Sequence, residues 1–216
     1  MELAYLHSTH SHEELISLSN ISEKIKVFPY YYKQQFDGAY NGCDVRKGVA
    51  QKLITVANQL PPDYYLVILD GWRSFETQTA LYEMTKQQHA HRFEDEKLLL
   101  QFISSFVALP SKQPASPHYS GGAVDLTIAY LDGWLNMGTD FDAFTENAAA
   151  LYYEQKENLT QTEINIRNNR RLLRSLMEAE DFTIHPNEWW HFDYGNIRWA
   201  KQKNTHPLYD GIERTI

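Results

Sequence analysis

A single cysteine, Cys43, occurs in 216 residues. That excludes an internal disulfide framework and any zinc knuckle built from several thiolates. A basic excess is missing too: 20 Lys and Arg stand against 28 Asp and Glu, a formal net charge of −8. Neither a nucleic-acid backbone nor an anionic membrane face suits such a chain as its main partner. No run approaches the ~20 apolar residues that cross a bilayer. The polar start, Met1 to Glu14, lacks the basic and apolar regions of an export signal, so a cytoplasmic home is expected. Repeats, low-complexity tracts and blocks of like charge are absent, which predicts one domain over 1–216, with 1–20 as a mobile N-terminal segment. What is present is apolar material for a core, 43% of residues, and nine histidines, more than packing requires.

The pattern predicts an α+β class, with helices packed on an antiparallel sheet. Asp44 is positioned to cap a helix carrying Val45, Val49, Leu53, Val56 and Leu60, stopped by Pro61-Pro62. Tyr65 to Leu69 reads as a buried strand. Ser74 caps a second helix to about Gln88, and a third covers Glu94 to Val107. Ser111 to Gly122 is a Ser-, Pro- and Gly-rich loop, followed by an alternating strand from Ala123 to Tyr130. Thr160 and Glu163 form a capping box that opens a helix through about Ala179. Two closing strands follow, Phe182 to Ile184 and Trp189 to Tyr194, around Pro186-Asn187.

Chemistry concentrates in two of these segments. In Ser116-Pro117-His118-Tyr119-Ser120-Gly121-Gly122-Ala123-Val124-Asp125, an imidazole in a loop precedes a carboxylate at a strand start. Small Ala123 and Thr127 share the Asp125 face and leave room in front of it. Gly121 and Gly122 permit the sharp turn that brings His118 back beside Asp125. In Glu188-Trp189-Trp190-His191-Phe192-Asp193-Tyr194, a second imidazole follows an acid by three positions. Both reach one site only if Glu188 lies in the turn. His118, Asp125 and His191 would then give three ligands and an open position, the catalytic zinc arrangement, with Glu188 left to take a proton. Arg73, just past a strand end, is placed to meet an oxyanion. Each segment alone also fits a plainer reading: a solvated loop histidine, an aromatic core strand with a surface glutamate, a surface arginine.

Taken together, Ser-x-His-x-x-Gly-x-Ala-x-Asp at 116–125 and Glu-x-Trp-His at 188–191 resemble the VanX-like zinc D-alanyl-D-alanine dipeptidases, relatives of the peptidoglycan D,D-carboxypeptidases. Asp70-Gly71-Trp72-Arg73, Met137-Gly138-Thr139-x-Phe141-Asp142 and the stretch from Asn169 to Met177 are similar to further motifs of that family, in the same order along the chain. The resemblance implies one zinc ion on His118, Asp125 and His191, Glu188 as general base and Arg73 on the scissile carbonyl. It also implies that Ser116 and Asp142 hold the dipeptide, Asp142 by meeting its free ammonium.

The expected activity is hydrolysis of D-Ala-D-Ala or a close D,D-dipeptide to free amino acids. A peptidoglycan D,D- or L,D-carboxypeptidase is the near alternative, set back by Asp142 and by the missing export signal. A non-catalytic zinc-binding module of the Hedgehog type is the alternative of another class, and such a module needs neither Glu188 nor Arg73. The segment Gln35-Phe36-Asp37-Gly38 resembles the family less closely. Tyr30 corresponds to a substrate-lining tyrosine only ambiguously, because three tyrosines stand in a row. His7, His10 and His12 sit on the polar terminus and are read as solvated, and Cys43 as structural. Oligomeric state is not readable from the sequence.

Overall fold

Residues 12–131 and 133–214 are described by the computed structural model of the chain. Its elements are β1 (Leu15–Ser17), β2 (Ile25–Val27), α1 (Tyr30–Lys33), β3 (Asp44–Arg46), α2 (Lys47–Gln59), β4 (Tyr64–Asp70), α3 (Phe75–His89) and α4 (Glu96–Ser104). They continue with β5 (Ala123–Tyr130), β6 (Gly133–Trp134), α5 (Tyr152–Gln155), α6 (Gln161–Ala179), β7 (Thr183–Ile184), β8 (His191–Asp193) and α7 (Ile197–Lys203). The α+β class holds. One sheet runs in the order β2-β4-β5-β8-β7 with β6 on β5, and β1 and β3 form a separate pair.

The sheet is mixed rather than antiparallel throughout, because β2 lies parallel to β4. Parallel neighbours need a long crossover, and here it carries α1, β3 and α2. Strands β4 and β5 form the centre, with Leu66, Ile68, Leu69, Val124, Leu126 and Ile128 fully buried. Both flanking strands of β5 align with Asp125: Asp70 of β4 is its register partner on one side and His191 of β8 on the other. Three polar side chains therefore start in a row across one end of the sheet, and that row fixes the site.

Most boundaries follow the local chemistry. Ser74 caps α3 by accepting from the Thr77 N–H at 3.0 Å, and Thr160 with Glu163 forms the expected capping box on α6. Helix α4 is shorter than the apolar pattern suggests, starting at Glu96 after its cap Asp95 and ending at Ser104. Asp44 is no helix cap. It lies in β3 opposite Ser17, its carboxylate accepts from Arg214 Nε at 2.7 Å, and α2 begins three residues later. Pairing with β1 holds this stretch extended, so the helix waits until Lys47.

In the terminal segment, the Leu15–Ser17 strand is paired and Leu18 is fully buried. His12 is exposed, while His7 and His10 lie outside the described residues. Among the described residues no helix is long and apolar enough to cross a membrane.

Candidate active site

His118 is delivered by a short 3-10 turn, His118–Ser120, that ends on Gly121 at φ +72°. A Cβ at Gly121 would come within 2.7 Å of Leu15 and 3.3 Å of Arg46, so both the backbone sign and the packing demand glycine. The turn brings His118 to the row across the sheet, where its Nδ1–H donates to the Gly71 carbonyl at 2.7 Å. Its Nε2 then faces His191 Nδ1 at 3.1 Å and Asp125 Oδ2 at 3.4 Å. His191 Nδ1 lies 3.0 Å from Asp125 Oδ1. One atom from each of His118, Asp125 and His191 falls within 4.8 Å of the others, all three buried.

Two imidazole nitrogens and a carboxylate oxygen converging on one point are the donor set of a catalytic zinc site, three protein ligands with a position open. Each imidazole also has its far nitrogen anchored: His118 on Gly71, and His191 through Nε2 on Asp193 Oδ1 at 3.0 Å. Such anchoring fixes the ring and the nitrogen offered to a metal. Burial works to raise the Asp125 carboxyl, but His118 and then His191 hold it well below the usual carboxylate range. Burial would lower the His191 imidazole, yet Asp193 and Asp125 overcome it and push it up to about 10.

Glu188 sits in the turn between β7 and β8, as its shared site with His191 requires, and is buried. Its Oε2 lies 3.8 Å from His191 Nδ1 and 3.7 Å from His185 Nδ1. Burial pushes its carboxyl up to about 8; His191 opposes this and Asp125 adds to it. A carboxyl held in this range can exchange a proton near neutral pH.

Arg73 follows the end of β4. Its guanidinium reaches Asp70 Oδ2 at 2.9 Å from Nε and 2.8 Å from Nη2, Gln78 Oε1 at 2.9 Å, and both the Tyr31 hydroxyl and Asp125 Oδ2 at 3.3 Å. The Tyr31 ring lies 4.5 Å from the guanidinium carbon, and its hydroxyl donates to Asp142 Oδ2 at 2.9 Å. Burial pushes the Asp142 carboxyl up to about 7, with Asp125 adding to the effect and Arg73 opposing it.

One cavity gathers these groups. Arg73, His118, Asp125, Asp142, Glu188 and His191 all line it, closed on an apolar side by Leu81, Phe106, Val107 and Phe144. Its empty volume is about 350 Å³, part of it open to solvent. Six of the seven residues singled out in the sequence therefore meet. Ser116 is buried next to the lining residue Pro117 but is not itself part of the wall; its N–H donates to the Ser111 carbonyl at 2.9 Å.

Sequence reasoning missed Tyr31, Asp70, Gln78, Asp193 and Arg198. For Asp193 a signal was available: residues two apart on a strand share a face, so Asp193 had to stand beside His191. For Tyr31 the run of three tyrosines hid which ring points inward; Tyr31 lines the cavity and Tyr30 does not.

Residues 30–208 match the D-ala-D-ala dipeptidase family. Similar curated proteins include a D-alanyl-D-alanine dipeptidase of Synechocystis sp., 26% identical over 88% of this chain and 85% of that one. A D-alanyl-D-alanine dipeptidase of Enterococcus faecalis is 29% identical over 70% of this chain and 76% of its own. Among solved structures, VanYB in complex with D-Alanine-D-Alanine aligns with a TM-score of 0.44 and 18% identity, covering 77% of this chain and 81% of that one. With the match running over most of its length, the chain belongs to the D-ala-D-ala dipeptidase family of peptidases.

Proposed function

We propose that the protein is a zinc dipeptidase that hydrolyses D-Ala-D-Ala, or a close D,D-dipeptide, to free amino acids, with His118, Asp125 and His191 holding one zinc ion. The observation that carries this reading is the meeting of that triad with Glu188, Arg73 and Asp142 in one small cavity. When bound, zinc supplies a Lewis acid and a water acidified to a pKa of about 7.

Glu188 takes the proton of the attacking water and passes it to the leaving amine as the peptide C–N bond breaks, so protons balance across the step. Arg73, held by Asp70 and Gln78, stabilises the oxyanion that forms on the scissile carbonyl. Asp142 accepts the free ammonium of the substrate; a buried carboxylate there favours an unblocked amine and penalises a longer chain without one. Tyr31 orients Asp142 through its hydroxyl. Ser116, on the loop that carries His118, is proposed to help hold the dipeptide. The domain spans the described chain, and a cytoplasmic setting accords with a small free substrate and a lone buried thiol.

The test offers zinc-loaded protein the four Ala-Ala stereoisomers alongside a muropeptide pentapeptide. Fast hydrolysis of the D,D-dipeptide and slow hydrolysis of the pentapeptide is the expected outcome. Preference for the pentapeptide would replace this reading with a D,D-carboxypeptidase, and zinc binding without turnover of any substrate would replace it with a binding module.

A further inference from the structure

A dipeptide zwitterion has two charged ends, and the reading above gives a partner only to its ammonium. Arg73 is assigned there to the scissile carbonyl, and its guanidinium is tied to Asp70, Gln78, Tyr31 and Asp125 on the β4 side of the site. The cavity wall holds a second guanidinium, that of Arg198. Its backbone is fixed in the first turn of α7, where the side chain of the cap residue Asn196 accepts from the Arg198 and Trp199 N–H groups.

The contacts of the Arg198 side chain are long. Nη1 lies 3.4 Å from His191 Nε2, and Nε lies 3.9 Å from Asp193 Oδ2. The first is no true partnership: His191 Nε2 already serves Asp193 Oδ1 at 3.0 Å, and two N–H donors do not satisfy each other. The second exceeds hydrogen-bond reach, and Asp193 Oδ2 makes no hydrogen bond. The Arg198 side chain is 23% exposed, so the guanidinium borders the cavity as a cation short of acceptors.

Its placement matches the missing pole. Asp142 joins the site through Tyr31 and Arg73, on the β4 side of the row, whereas Arg198 joins it through His191 and Asp193, on the β8 side. Both line the cavity that holds the triad. From this geometry we infer that Arg198 binds the C-terminal carboxylate of the dipeptide, so that Asp142 and Arg198 set the direction and length of the substrate across the triad. The inference rests on the dipeptidase reading and adds to it a requirement for a free α-carboxylate. A guanidinium meets a carboxylate with two parallel N–H donors, which a lysine ammonium does not reproduce. The competing role for Arg198 is to neutralise Asp193 alone.

Turnover of D-Ala-D-Ala by the wild type decides the dipeptidase reading. The acid-to-amide binding ratio decides the role of Arg198 separately. Calorimetry with zinc-loaded full-length Glu188→Gln protein, which binds without cleaving, compares D-Ala-D-Ala with its C-terminal amide. The acid should bind about 10- to 100-fold more tightly than the amide. Adding Arg198→Gln should remove that preference by weakening the acid alone, with zinc content unchanged, and Arg198→Lys should restore part of it. Equal binding of acid and amide before the second substitution overturns the inference, as does the absence of measurable binding of the acid. A preference that survives Arg198→Gln assigns Arg198 to Asp193 and overturns it equally. Should Arg198→Gln fail to fold, the same comparison on Arg198→Lys decides: an undiminished preference for the acid refutes the carboxylate role, and a reduced one supports it.

Discussion

The Asp193 carboxylate holds the Nε2 of His191 at 3.0 Å, leaving Nδ1 as the nitrogen that faces Asp125 and His118. Asp193 is itself fixed, since Asn196 Nδ2 donates to the same Oδ1 at 2.6 Å. The arrangement is a carboxylate–histidine pair behind the nitrogen proposed to bind zinc, which orients the ring and raises its basicity.

Replacing Asp193 by Ala should therefore weaken zinc binding by about 10- to 100-fold, read by competition with a chelator. Asp193→Asn keeps an acceptor oxygen and should recover part of that affinity. A loss of thermal stability with no change in zinc affinity would make Asp193 structural only.

Glu188→Gln removes the proposed proton acceptor while keeping the size of the side chain. Turnover should fall by about 10²- to 10⁴-fold, with the zinc stoichiometry of the wild type retained. Stripping zinc with a chelator should abolish turnover in the wild type, and added zinc should restore it. Retained turnover in Glu188→Gln would require another base.

Asp142 ties stability to pH in a direction opposite to that of an ordinary surface carboxylate. Burial first, then the nearby Asp125, pushes its folded value up to about 7, against roughly 3.9 in an unfolded chain. Over that interval the folded protein keeps a proton that the unfolded chain releases. Its stabilising contribution is full below about pH 4, declines as pH rises and is gone above about 7. Asp142→Asn cannot lose this proton, and asparagine tolerates the left-handed backbone at φ +60°. Urea unfolding of zinc-stripped protein at pH 5 and pH 8 should show the variant gaining on the wild type as pH rises. Parallel profiles would show that Asp142 is ionised throughout.

How much of this was legible in the sequence depends on how local its cause is. The capping box of α6 and the Gly121 turn are written in a few adjacent residues, and both were read correctly. Glu188 could be placed in a turn because strand alternation forbids it from sharing a face with His191. Asp44 misled because an Asp before an apolar helical pattern looks like a cap; pairing with β1, set by residues 27 to 29 positions earlier, keeps it extended. The parallel seating of β2 on β4 likewise depends on a long crossover, and no short pattern encodes it. Tyr31 joins the site only through Asp142 and Arg73, far from it in sequence; Arg198 meets His191 and Asp193 because the first turn of α7 folds back beside β8, which no local pattern announced.

Arg170 gives the last test, because it links α6 to both halves of the substrate site. It is buried, and its guanidinium donates to the carbonyls of Met137 at 2.7 Å, Ala149 at 2.9 Å and Asn147 at 2.9 Å. These carbonyls bracket the segment carrying Asp142. The same segment is stitched to the Glu188 turn: Trp189 Nε1 donates to Thr139 Oγ1 at 2.8 Å, the Trp189 N–H to the Ala148 carbonyl at 3.0 Å, and the Ala150 N–H to the Pro186 carbonyl at 3.0 Å. A lysine ammonium is a point donor and cannot span three carbonyls as the planar fork does. Each buried carbonyl left unpaired costs about 1–3 kcal/mol. Arg170→Lys should thus lower unfolding free energy by about 2–3 kcal/mol, measured by urea denaturation, and Arg170→Ala by more. The folded fraction of Arg170→Lys should keep its zinc, because no ligand of the triad touches Arg170 through these bonds. Its KM for D-Ala-D-Ala should rise more than its kcat falls if the displaced group, Asp142, meets the ammonium as proposed. A fall in kcat alone would place the effect on Glu188 instead of Asp142.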